Sequence, residues 1–191
     1  MKAELFVLGV LHRGDFHPYE IRRRLNNAMI ECYTELDVGT LYYAVRQLEK
    51  QGLIAAVSRE PTARGGARTV FRITAPGRRR FGALLLEQFR AQGSVAETLY
   101  GALLFLHLAD PAAVAECLKQ RIAAQTEGLA ELDAVRERLA PVLATGGRYL
   151  LRHLELQRRL DRKWLRALLA EVQAGRVRDV ADPKRLAAQR S

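Results

Sequence analysis

The stretch Asp37–Ile54, DVGTLYYAVRQLEKQGLI, constrains this chain more than any other. On a helical wheel Leu41, Val45, Leu48 and Gly52 share one face, the 3.6-residue period of a half-buried helix. Asp37 supplies an N-cap carboxylate for the backbone N–H groups two or three residues on. Gly52 suits the C′ position, where φ is often positive. The opposite face carries Thr40, Tyr43, Arg46, Gln47 and Lys50, with no Asp or Glu among them. An apolar back and a donor-rich, anion-free front fit a DNA major groove. The same pattern also describes an ordinary amphipathic surface helix, so the neighbouring segments decide.

Upstream, Leu5, Leu8 and Val10–Leu11 give a first helix over about Lys2–Arg13, ended by Gly14. Pro18 sits where proline is tolerated, in the first turn of a second helix running to Met29, with Ile21, Leu25 and Met29 inward. Arg22, Arg23 and Arg24 are consecutive, so they spread around that helix and cannot all face one partner. Residues 30–36 form an irregular connection. Downstream, Leu53–Glu60 and Thr69–Thr74 read as strands, the second with Phe71 and Ile73 on one face. The loop between them, PTARGGAR, carries Gly65–Gly66 at its tip. Three helices followed by a basic-tipped hairpin make a winged helix-turn-helix, and this order is far more specific than any single element.

Thr74 caps a fourth helix reaching about Gln92, and the domain boundary is expected near Gly93: 1–92 for the winged helix, 93–191 for a helical second domain. Ser94 and Glu97 fit a capping box that opens a helix to about Leu108. Asp110–Pro111 starts a long helix to about Leu143, with a seam at Leu118, Ile122, Gln125, Leu129, Leu132, Arg136, Leu139 and Leu143 in heptad-like steps, distorted at Pro141. A last long helix, about Arg148 to Ala174, carries Leu150, Leu154, Leu165, Leu168 and Val172. Gln157 and Asp161 interrupt it as a pocket lining, an interchain hydrogen bond or a solvent-facing stretch, with the interchain bond preferred. The overall class is mainly α with a small β-hairpin wing.

The net charge of +10 leans toward the N-terminal part: residues 1–90 hold 15 Lys/Arg against 9 Asp/Glu, and residues 91–191 hold 16 against 12. This points to a polyanionic partner. No stretch approaches the roughly 18 uninterrupted apolar residues of a membrane span. The apolar start contains Glu4 and has helical spacing, which argues against a signal peptide, so a cytoplasmic protein is expected. Cys32 and Cys117 have no metal-type spacing and are expected as core thiols.

The stretch His17–Ile21, HPYEI, resembles the HGYEI motif of the PadR family of bacterial transcription regulators. Gly39–Tyr42, GTLY, and Leu48–Ile54, LEKQGLI, are similar to that family's GTLY and LExxGLI signatures. Arg68–Thr74 and Gly77–Arg79 resemble its wing strand and the start of its fourth helix. The match covers about residues 3–82, and the remainder resembles a longer subgroup in length and helix content only. Pro18 stands for the usual Gly, and Val38 where the family often has Pro. Gly66, Ala67 and Thr69 replace residues often Arg, Pro and Lys, leaving Arg64 and Arg68 as the wing's contacts. The resemblance implies a homodimeric repressor on a roughly palindromic operator, released in some members by a small aromatic or lipophilic compound.

The expected DNA contacts are therefore Tyr19, Arg22, Arg23, Thr40, Tyr42, Tyr43, Arg46, Gln47, Arg64 and Arg68. Dimerisation is assigned to Leu150, Leu154, Leu165, Leu168 and Val172. Tyr100, Phe105, Tyr149 and Trp164 are candidates for an effector pocket, against the simpler reading of helix packing. The four histidines are scattered, and no metalloprotease, P-loop or nucleophile-elbow pattern occurs, so no catalytic residue, metal or cofactor is expected. The rival is a winged-helix protein-interaction module, whose third helix would present an apolar or acidic front.

Overall fold

The structure is a computed structural model that describes residues 2–28, 37–61 and 67–178. It divides into two compact units at Phe105/Leu106. The first contains α1 (Lys2–Leu11), α2 (Pro18–Asn27), α3 (Val38–Lys50), β1 (Ile54–Pro61), β2 (Ala67–Ile73), α4 (Ala75–Arg90) and two short turns, α5 (Val95–Thr98) and α6 (Tyr100–Leu103). The winged helix-turn-helix is present as expected.

Helix α1 is its centre. Ala3, Leu5, Phe6, Val7, Leu8, Val10 and Leu11 are all buried, and α2, α3, α4 and β2 all pack against it. A helix apolar all round belongs in a core, and one apolar side understates it. On α2, Ile21 and Leu25 are buried; Met29 and residues 30–36 lie outside the described residues.

The hairpin pairs β1 with β2 antiparallel, with a bulge where the register shifts between Ala56 and Ser58. Val57 sits at that bulge and is exposed, so it does not share the inward face with Ile54. Phe71 and Ile73 are buried, as their alternation requires.

Three details join α4 to the α3–β1 corner. The Thr74 hydroxyl donates to the carbonyls of Gly52 (2.8 Å) and Leu53 (3.0 Å) and accepts from the Gly77 N–H (3.1 Å). Gly77 is buried, and a Cβ there would run into the Leu53 carbonyl oxygen. Glycine is therefore required by close backbone approach.

The capping box at Ser94 and Glu97 forms, but the single helix expected to Leu108 does not. The chain turns at Leu99 between α5 and α6 and ends in a 3-10 turn, Leu106–Leu108. Packing sets this path: Leu99, Ala102 and Phe105 are buried. The Phe105 ring lies in a notch left by Gly9, 5.7 Å edge-on to Phe81 and 6.2 Å from Phe6. Residues 93–105 thus belong with the first unit, beyond the expected boundary at 92/93.

In the second unit α7 (Pro111–Leu139) and α8 (Thr145–Gln173) form a helical hairpin. Leu118, Leu129, Leu165 and Val172 are buried. The seam's polar members find partners across the hairpin: Arg158 donates to Gln125 (3.4 Å) and Arg136 to Glu155 (3.2 Å). Asp161 faces the buried Arg121 electrostatically. Gln157 is exposed. Burial pushes the Arg121 guanidinium below its ordinary value, and Asp161 opposes that shift. Cys117 is a buried thiol; Cys32 lies outside the described residues.

The Gly77 contact predicts that Gly77→Ala, by forcing α4 off the Leu53 carbonyl, destabilises the chain by about 1–3 kcal/mol, the range for overpacking. Urea denaturation read by circular dichroism measures it. Gly82→Ala in the same helix, where an added Cβ meets nothing within 4 Å, is the control and is expected to be neutral or stabilising.

Candidate nucleic-acid interface

Helix α3 is built to hold one face outward. Asp37 is its N-cap, accepting from the Thr40 N–H at 2.8 Å and from the Thr40 hydroxyl. At the other end the Gly52 N–H donates to the Glu49 carbonyl and the Leu53 N–H to the Leu48 carbonyl, both at 2.9 Å, with Gly52 at φ +69°. That is a Schellman closure, which glycine accommodates without strain. Leu41, Ala44, Val45 and Leu48 are buried. Thr40, Tyr42, Tyr43 and Arg46 are exposed, Tyr43 at 58 %, and Gln47 is half-buried. The Thr40 hydroxyl is committed to Asp37, so its proton serves the cap rather than a ligand.

Helix α2 begins with a cap that the sequence reading missed. The His17 ring accepts from the Glu20 N–H through Nδ1 at 3.1 Å, and Tyr19 follows, 53 % exposed. Of the three consecutive arginines, Arg23 and Arg24 both pair with Glu20 at 2.9 Å, and Arg24 also lies 4.1 Å over the Phe16 ring. No ion pair holds Arg22 among the described residues. The spacing of Glu20 to Arg23 and Arg24, three and four residues, was the available signal.

The wing meets α2. Phe16 and Phe71 exchange backbone hydrogen bonds (3.1 and 3.0 Å), an isolated bridge along the free side of β2. Arg68 is exposed and lies 5.7 Å over the Tyr19 ring, bringing two expected contacts together. Arg64 and the wing tip lie outside the described residues.

The candidate effector aromatics are not gathered in this way. Phe105 is core of the first unit. Tyr149 and Trp164 are fifteen residues apart on α8, about 22 Å along its axis, and Tyr149 is 75 % exposed. Tyr100 is 42 % exposed. Among the described residues no cluster of His, Cys, Asp and Glu is arranged to hold a metal ion, and no helix is long and apolar enough to cross a membrane.

Residues 7–83 match the sequence model of the transcriptional regulator PadR-like family. They form a PadR-like domain. No curated protein matches the chain. Similar solved structures include Bacillus subtilis PadR in complex with operator DNA, at 16 % identity over 88 % of this chain and 98 % of that one, TM-score 0.43. Others are smu.1604c from Streptococcus mutans UA159 (18 %, 89 % and 99 %, TM-score 0.41) and the Vibrio cholerae virulence activator AphA (20 %, 91 % and 99 %, TM-score 0.38). At these identities and TM-scores the family match carries the assignment. The matched residues run from within α1 into α4 and take in the wing described above.

The cap on α3 predicts a pH dependence. Hydrogen bonds from Thr40 lower the Asp37 carboxyl below its ordinary 3.8. A depressed carboxylate contributes stability that is present above its unfolded value and lost as pH falls through the folded one. Below pH 3.8 the N-terminus of α3 is expected to loosen, and Asp37→Ala is expected to remove this dependence. Amide chemical shifts of Thr40 and Leu41, followed between pH 6 and 2, measure both.

Proposed function

We propose that this PadR-like protein is a sequence-specific repressor that grips a twofold-symmetric operator as a homodimer, with α3 in the major groove and the wing alongside. The observation that carries the reading is the outward face of α3: Tyr43 and Arg46 exposed, with no ion pair to Arg46 among the described residues. Arg46 is the residue assigned to base readout, because a guanidinium matches the two acceptors of a guanine edge. Tyr42, Gln47 and Thr40 flank it. Tyr19, Arg22 and Arg68 are assigned to phosphates. Arg23, which shares the Glu20 carboxylate with Arg24, drops to a minor role.

The dimer contact is assigned to the exposed part of α8, where Leu150 is 59 % exposed. Leu165 and Val172 are buried at 0 and 2 % exposure, so they serve the chain's own core and cannot anchor a partner. Leu154 and Leu168 are half-buried. A second stripe on α8 is left open: Tyr149, Leu156 and Leu160, at 75, 50 and 66 % exposure, fall within about 40° of one another on the helix. Such a stripe is expected to be covered. A second copy is the occupant proposed, since two recognition helices about 34 Å apart read twice the sequence of one. An effector pocket does not enter this proposal, because its candidates are not brought together.

Two measurements test it. Arg46→Ala is expected to cost about 1–3 kcal/mol on the best site selected from random DNA and much less on scrambled DNA. An equal loss on both would make Arg46 a phosphate contact. Leu156→Glu with Leu160→Glu is expected to sediment as a monomer with unchanged helix content and weakened operator binding. Leu165→Ala is expected to stay dimeric while losing about 2–5 kcal/mol of stability. A dimer that survives both glutamates places the interface elsewhere.

A further inference from the structure

We propose that Arg72, on β2, is a positioning residue for the wing rather than a contact to DNA, and that Asp15 is the group it acts through. The inference rests on the DNA-binding reading above. Arg72 and Arg68 lie four residues apart on β2, so by the two-residue period both project from the same side of the strand. On exposure alone Arg72 would count as another cation for phosphate. It is instead committed. Its Nε donates to both oxygens of Asp15 at 3.0 Å, and Nη2 donates to Oδ2 as well.

The geometry of the pair is specific. Phe16 is bridged to Phe71, so Asp15 and Arg72 are the next residues along that bridge on opposite strands. Cross-strand opposite charges stabilise pairing at such positions, and a forked guanidinium fixes orientation as well as distance. The pair lies 57 residues apart in sequence. It ties the wing to the segment that leads through the His17 cap into α2. Beyond it in the same direction Arg68 meets Tyr19. Asp15, Phe16 and Tyr19 therefore engage Arg72, Phe71 and Arg68 in antiparallel order, and the ion pair closes the end of the row away from the wing tip. Among the described residues, loss of the pair would leave the Phe16–Phe71 bridge and the Arg68–Tyr19 ring contact to join the hairpin to this segment.

The test uses the full-length protein and four variants: Asp15→Asn, Arg72→Gln, both together, and the exchange Asp15→Arg with Arg72→Asp. Affinity for the selected operator is measured across salt concentrations. Each single variant is expected to bind roughly tenfold more weakly, with a salt slope reduced by about one unit as a wing phosphate contact is lost. The double variant is expected to be no worse than either single one, because the two act as a unit. The exchange is expected to recover most of the loss. If Asp15→Asn binds more tightly with a steeper salt slope, Arg72 is a phosphate contact that Asp15 masks, and the proposal is overturned. Unchanged binding in both single variants also overturns it. Amide hydrogen exchange at Phe16 and Phe71 is read in parallel without DNA. Faster exchange in both single variants supports the positioning role, and unchanged exchange overturns it. A wild-type chain that binds no DNA defeats the DNA-binding reading, and the exchange measurement then still decides whether the pair holds the wing.

Discussion

The first unit depends on the all-round burial of α1. Ten residues, KAELFVLGVL, offer almost no polar surface, and the interior side chains from Leu5 to Leu8 are each at most 2 % exposed. Each such side chain contributes on the order of 1.5–3 kcal/mol relative to exposure, so the helix is stable only where other elements enclose it. α2, α3, α4 and β2 supply that enclosure. Its one acidic residue, Glu4, is met by a forked contact from Arg80 of α4 at 3.0 and 3.2 Å. The orientation of α3 follows: its buried row of Leu41, Val45 and Leu48 turns to the core, and the exposed row has no choice but solvent or a ligand.

Charge in this unit is less available than its count suggests. Arg23 and Arg24 are held by Glu20, Arg72 by Asp15 and Arg80 by Glu4. Exposed pairs of this kind add little to stability, but they decide which cations a polyanion finds unpartnered. Among the described residues no ion pair holds Arg22, Arg46 or Arg68. Of the unpaired cations, these three lie on the elements that carry the candidate interface, and charge placed at an interface favours orientation.

What was legible in the sequence was local. The caps of α3, its period and the alternation in β2 are each settled within a few residues, and the PadR-like motifs follow the same elements. What was not legible depended on partners distant in the chain. Phe105 reads as well for a pocket as for a core until Gly9, ninety-six residues away, is seen to leave the notch that takes its ring. The same contact draws residues 93–105 into the first unit. His17 escaped notice because histidine is not an ordinary cap. On α8 the sequence contains two apolar stripes of similar character, and nothing local says which of them α7 will take.

That choice has a physical cause in the polar groups of the hairpin. An apolar seam alone tolerates sliding by a turn, since one leucine replaces another at little cost. Buried polar groups do not, because a slipped register leaves them desolvated without partners. The buried Arg121 faces Asp161 and the half-buried Gln125 meets Arg158, while Arg136 meets Glu155 at the exposed edge. As the α7 member advances along the chain the α8 member retreats, which is the order an antiparallel pair demands. Arg158 also needs Gly128, where a Cβ would meet its guanidinium. These pairs fix both the register and the rotation of α8 against α7. With the rotation fixed, Leu165 and Val172 face inward, and Tyr149, Leu156 and Leu160 are turned to the opposite side. Which stripe of α8 stays exposed is therefore set by the polar residues of the hairpin, not by which leucines are the more apolar.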